Sequence, residues 1–154
     1  MFNTKLSSMK SLILLGVLAM YGCNSASQEK NPQSRLEKVW ETDSTMTTSE
    51  SVLYDAGSKQ LFVSNISGDP LGKDGNGFIS ILNADGSVKQ LKWSSGLNAP
   101  KGMAIMSKRL FVSDIDELTE IDLSSGKIVA RHPVRDAVFL NDVATDGKKV
   151  VVSD

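Results

Sequence analysis

Cysteine and histidine are nearly missing from this 154-residue chain: there is one of each, Cys23 and His132. A single cysteine excludes an intrachain disulfide framework, and a single histidine leaves little for a His-rich metal site or a Ser-His-Asp triad. Charge of one sign is also lacking. The 17 basic and 18 acidic side chains nearly cancel, with no basic stripe, so nucleic acid is not the expected partner. Proline occurs only four times and aromatic residues make up 6% of the chain. The apolar run near the N-terminus, from Leu12 to Met20, is too short to span a bilayer.

What the chain does have is a strand that recurs three times: Gln60-Leu61-Phe62-Val63-Ser64-Asn65, Arg109-Leu110-Phe111-Val112-Ser113-Asp114 and Lys149-Val150-Val151-Val152-Ser153-Asp154. Each copy is a short apolar β run closed by Ser-Asn or Ser-Asp. Each follows another short strand, at 51–55, 102–106 and 142–146. The copies lie 49 and 40 residues apart, counted from Asn65 to Asp114 and from Asp114 to Asp154. Periods of roughly 40–50 residues with several strands each are the mark of a β-propeller. The predicted fold is therefore all-β: a partial β-propeller of about two and a half four-stranded blades.

The first repeat predicts strands at 51–55, 60–66, 78–83 and 88–93, separated by loops rich in Gly, Asn, Asp and Ser. The second predicts strands at 102–106, 109–115, 117–123 and 127–132, and only two strands of a third repeat follow. Blades bury their faces against neighbours, so two and a half of them leave apolar faces bare. The expectation is a fragment, or a ring completed from elsewhere. Leu36 to Thr42 alternates apolar and polar residues and predicts a strand. It would close the ring on the last blade or lie at the edge of the first. Trp40 and Trp93 are read as packing residues between blades, and His132 as a turn residue beside Pro133.

Residues 1–23 read as an export signal. Lys5 and Lys10 precede the apolar stretch, which ends at Tyr21-Gly22-Cys23. A small residue before a lone cysteine resembles the bacterial lipoprotein signal, in which Cys23 would be lipidated. The alternative is a plain secretory signal with an incidental cysteine. Each buried CH₂ of an acyl chain contributes roughly 0.8 kcal/mol to membrane binding, so several chains anchor firmly. Residues 24–35 are polar and predict a flexible tether, leaving 36–154 as the incomplete propeller domain. The expected location is the bacterial cell envelope, with the membrane engaged only through this lipid anchor.

Superimposing the repeats isolates one polar position just before the first strand of each: Glu50, Lys101 and Asn141. In a propeller the first strands line the central channel, so these residues would meet at one mouth. A carboxylate and an amide oxygen are hard donors that suit a divalent cation. The bland alternative is three solvated residues at strand starts. Two weaker patterns fail. The stretch from Gly68 to Asp74 has the wrong spacing for a phosphate loop, and Asp74-Gly75-Asn76-Gly77 lacks the spacing of an EF-hand.

From about Ser49 to Asp154 the chain resembles the gluconolactonase, senescence marker protein and luciferin-regenerating enzyme family of six-bladed propellers. The resemblance rests on Glu50-Ser51-Val52-Leu53-Tyr54-Asp55, on Asn98-Ala99-Pro100-Lys101-Gly102-Met103-Ala104, and on Phe139-Leu140-Asn141-Asp142-Val143-Ala144. It implies that Glu50 binds a divalent cation (Ca²⁺, Mg²⁺, Mn²⁺ or Zn²⁺). It also implies that Asn141 and Asp142 contact substrate beside it. Lys101, placed near the same axis by the repeat, would compete with a cation there unless it pairs with Glu50 or with a substrate anion. The family's remaining ligands and its candidate base lie on later blades. The implied chemistry is hydrolysis of a sugar-lactone-like substrate, the metal polarising the ester carbonyl and activating a water. The alternative function is a non-catalytic propeller that binds a ligand or a protein through the same mouth.

Overall fold

The computed structural model describes residues 35–154. The export signal, Cys23 and almost all of the tether lie outside the described residues. Ten strands and no helix are present among those described. They are β1 (Ser49–Asp55), β2 (Gln60–Asn65), β3 (Gly77–Asn83), β4 (Val88–Leu97), β5 (Pro100–Met106), β6 (Arg109–Asp114), β7 (Glu117–Asp122), β8 (Ile128–Pro133), β9 (Val143–Thr145) and β10 (Val150–Val152). They form two four-stranded sheets in sequence order, β1-β2-β3-β4 and β5-β6-β7-β8, and a two-stranded β9-β10 pair. All pairing is antiparallel. The fold is thus all-β, and each expected repeat corresponds to one sheet.

The hairpins follow from turn chemistry. Between β1 and β2, Asp55 accepts hydrogen bonds from Gly57 N at 3.1 Å and Ser58 N at 3.0 Å. Between β3 and β4, Asp85 accepts from Ser87 N at 3.0 Å. Between β7 and β8, Asp122 accepts from the amides of Ser124 and Ser125, both at 3.1 Å. Between β9 and β10, Asp146 accepts from Lys148 N and Lys149 N, both at 2.8 Å. The same aspartate-led turn therefore recurs in all three sheets, because an Asp side chain can bond its own backbone two or three residues on.

One core joins the two larger sheets. Phe62, Ile79, Ile81 and Leu97 of the first pack with Met103, Leu110, Val112 and Ile121 of the second. Trp93 packs against this core, its ring 5.1 Å from that of Phe62 in an edge-on arrangement. It also covers the backbone of Gly126, where a Cβ would lie 2.5 Å from Trp93 O. Trp93 is therefore an inter-sheet packing residue, as expected.

Two expectations are corrected. Residues 36–42 form no strand: Leu36 is fully exposed and Val39 is 85% exposed. Only Trp40 finds a place, over Gly86 in the β3-β4 turn, where a Cβ would come within 2.4 Å of its ring. The alternating pattern was present, but the segment pairs with no strand among the described residues. His132 stands at a strand end beside Pro133, as expected, but is not a turn residue. It lies within β8, paired with Leu118 of β7, and its Nε2 is 3.4 Å from Glu120 Oε2.

Candidate functional site

The first strands of the three sheets lie side by side, β5 packing against β1 on one side and β9 on the other. Glu50 is the second residue of β1 and Lys101 the second of β5. Asn141 and Asp142 immediately precede β9. The tightest link is between β5 and the third sheet, where Gly102 N donates to Asn141 O at 3.0 Å. A Cβ on Gly102 would lie 2.5 Å from Asn141 O and 2.7 Å from both Asp142 Cα and Val143 N. Glycine is needed there so that the two backbones can approach. Ser113 Oγ, at the end of β6, donates to the same Asn141 carbonyl.

The repeated Ser-Asp ending has a structural task. Asp114, fully buried, accepts from Asn98 N at 2.8 Å and Ala99 N at 2.7 Å, so it fixes the loop that enters β5. Asp154 accepts from Phe139 N at 2.6 Å and Val138 N at 3.1 Å and fixes the loop that leads toward β9. In the first sheet Asn65 takes the equivalent place, accepting from Ser49 Oγ at 3.3 Å and donating to Ser80 Oγ at 3.0 Å. The serines before them also bond the first strand: Ser64 Oγ accepts from Ser51 N at 3.1 Å, and Ser153 Oγ from Asp142 N at 3.0 Å. Burial pushes the Asp114 carboxyl up, against the two amide hydrogen bonds and Arg131, whose Nη1 is 3.9 Å away.

The predicted site residues differ in environment. Glu50 is exposed and borders a hollow of about 160 Å³ lined by Ser49, Ser51, Val52 and Val63. Asn141 and Asp142 are exposed, while their backbones are held by Ser153. Lys101 is not a solvated strand-start residue: it is 1% exposed. Its Nζ donates to Ala99 O at 3.1 Å and lies 4.0 Å from the centroid of the Phe139 ring. Burial lowers its pKa, while the fields of Asp114 and Glu50 act in the opposite direction. The structure thus gathers the starts of β1, β5 and β9 at one end, with Glu50 and Asn141-Asp142 open and Lys101 covered.

Sequence reasoning passed over Phe139 and Asp114. Phe139 stands two residues before Asn141 in the quoted motif, yet nothing in its spacing points to a ring lying over Lys101. Asp114 was visible as a repeated strand ending, and the recurrence of Asp or Asn there was the signal of its loop-holding role. Among the described residues no group of three or more His, Cys, Asp and Glu side chains converges as metal ligands do. The donors at the gathered strand ends, one carboxylate and one amide oxygen, suit a hard divalent cation in kind and supply only part of its six to eight ligands. No family model matches the chain, and no curated protein matches it.

Proposed function

We propose that this chain is part of an exported β-propeller of the gluconolactonase-like kind, a divalent-metal-dependent hydrolase acting on a lactone at the gathered strand ends. The observation that supports it is the adjacency of β1, β5 and β9. It brings Glu50, Lys101 and the Asn141-Asp142 pair from three sheets toward one end. Further blades would complete the ring and the ligand set. In this reading Glu50 holds the cation, Asn141 and Asp142 orient the hydroxyl groups of the substrate, and Lys101 lies behind them. Such a cation would supply polarisation of the ester carbonyl and a bound water of lowered pKa. The chain reaches the cell envelope through its N-terminal signal and is tethered to the membrane by lipid on Cys23, with residues 24–35 as the spacer.

One observation favours a second reading, a non-catalytic propeller that binds a ligand at the same end. The ammonium of Lys101 lies close enough to Glu50 to feel its field, and a positive charge there opposes a cation on Glu50.

Both readings are tested by calorimetric titration of Ca²⁺, Mg²⁺, Mn²⁺ and Zn²⁺ into the protein, with lactone hydrolysis assayed beside each metal. Cys23→Ala protein, expected to be free of the membrane, is the material. The hydrolase reading expects one metal to bind and to support turnover, with both lost in Glu50→Gln. Ligand binding with no turnover beside any of the four metals would select the second reading.

A further inference from the structure

Lys101 presents a chemical demand that its own surroundings do not meet. An ammonium has three N–H donors. Here one goes to Ala99 O at 3.1 Å, and the face of Phe139 at 4.0 Å shares the charge. A charge this deeply buried is ordinarily ion-paired, because desolvation is costly and a cation–π contact offsets only part of that cost. Asp114, whose field acts on Lys101, is engaged elsewhere: its two oxygens accept from Asn98 N and Ala99 N. Glu50 acts on Lys101 through its field, but is itself exposed at the surface.

We propose that Lys101 is the seat for the carboxylate of a small hydroxylated monocarboxylate ligand, and that Phe139 is the cover that swings aside to admit it. The inference rests on reading this end of the strands as a binding site. A monoanion is selected because the fields of Asp114 and Glu50 already reach Lys101 and would repel a second negative charge. Hydroxyl groups on the ligand are matched by the exposed side chains of Asn141 and Asp142, two and three residues beyond Phe139. Phe139 is suited to move. It lies between β8 and β9, outside any strand, is half-buried, and is tied through its backbone amide to Asp154. Its ring can therefore turn while the chain stays in place. Hydrolysis of a lactone releases a hydroxy acid, so the seat would hold the product of the proposed reaction.

The test uses lactate as the hydroxylated monocarboxylate, inorganic phosphate as the dianionic control, and no added metal. Wild-type protein is expected to show a saturable rise in melting temperature with lactate and a weaker response to phosphate. Lys101→Met should lower lactate affinity at least tenfold. Glu50→Gln should keep it or tighten it, since one competing carboxylate is gone. Phe139→Ala should tighten binding by removing the cover. The ammonium signal of Lys101 followed by NMR in the wild-type protein gives the same reading if Lys101→Met fails to fold. A response equal in wild type and Lys101→Met, an unmoved Lys101 signal, or tighter binding of phosphate than lactate would overturn the proposal. Because no metal is present, the two ideas fail separately. Lactate binding without metal-dependent turnover removes the hydrolase and leaves the seat, and turnover without lactate binding removes the seat alone.

Discussion

Asp122 carries more hydrogen bonds than any other turn aspartate: it accepts from the amides of Ser124 and Ser125 and from both of their hydroxyls. Those bonds, with the Arg109 guanidinium beside it, hold its carboxyl down at about 2. The turn aspartates Asp55, Asp85 and Asp146, and Asp43 before β1, are lowered in the same direction by the same kind of bonding. A carboxyl whose folded pKa lies below its unfolded value of 3.8 binds fewer protons folded than unfolded. Its stabilising effect is complete above that unfolded value and is lost as pH falls through about 2. Asp114 works in the opposite sense. Its folded pKa is raised, so the cost of its buried charge is complete above that folded value and disappears as pH falls below it. Denaturation midpoints between pH 2 and 5 should therefore show Asp122→Asn less stable than wild type above pH 4, with the two converging near pH 2. A difference that stays constant with pH would mean that the ionised form of Asp122 is not what the turn depends on.

At the scale of strands and sheets, the positions of glycine decide how closely elements approach. Gly102 and Gly147 make a contrast. Gly147 has φ +85 and open space around it, so Gly147→Ala meets only the backbone strain of a left-handed residue, about 1–2 kcal/mol. Gly102 has no such φ, but its Cβ position is filled by backbone of the third sheet. Gly102→Ala must push β9 away from β5 and is expected to cost about 1–3 kcal/mol by overpacking. It should also raise amide exchange at Asn141 and Val143, which Gly147→Ala should leave unchanged. If Gly102→Ala unfolds at the wild-type urea midpoint, the approach of the two sheets is looser than the 3.0 Å hydrogen bond implies.

Much of this level was legible in the chain, because its signals are local. Asp-led turns and short apolar runs located all ten strands, β1 to β10 in order, to within a few residues at each end. The β4 strand runs on to Leu97, past the expected end at Trp93, since Phe78 and Gly77 offer Ser95 and Leu97 partners that only the folded sheet reveals. The alternation at 36–42 misled because a pattern of side chains does not say whether an edge is free to pair with it. The positions of Glu50, Lys101 and Asn141 at the strand starts were readable from the repeat. The burial of Lys101 was not, since it arises from Phe139, 38 positions further along the chain.

At the scale of the whole molecule, the question is whether the two four-stranded sheets stand or fall together. Local pairing inside each sheet would let them unfold separately, whereas a shared core couples them. Leu110 decides between these. It belongs to β6 of the second sheet, is fully buried, and sits in one cluster with Phe62, Ile79 and Ile81 of the first. Leu110→Ala removes core volume at the junction and is expected to cost about 2–5 kcal/mol. Trp93 provides the reporter, because it lies on β4 of the first sheet and its ring packs on Phe62. In a Trp40→Phe background its fluorescence follows the first sheet and its seam with the Gly126 turn of the second, so amide exchange of β2 and β3 is read beside it. If the core couples the sheets, Leu110→Ala shifts the Trp93 transition and the amide exchange of β6 and β7 by the same free energy. If the Trp93 transition keeps its wild-type midpoint while the second sheet exchanges faster, the sheets are independent units. The cover of Trp93 over Gly126 would then be a contact between two separate units rather than a strut that couples them.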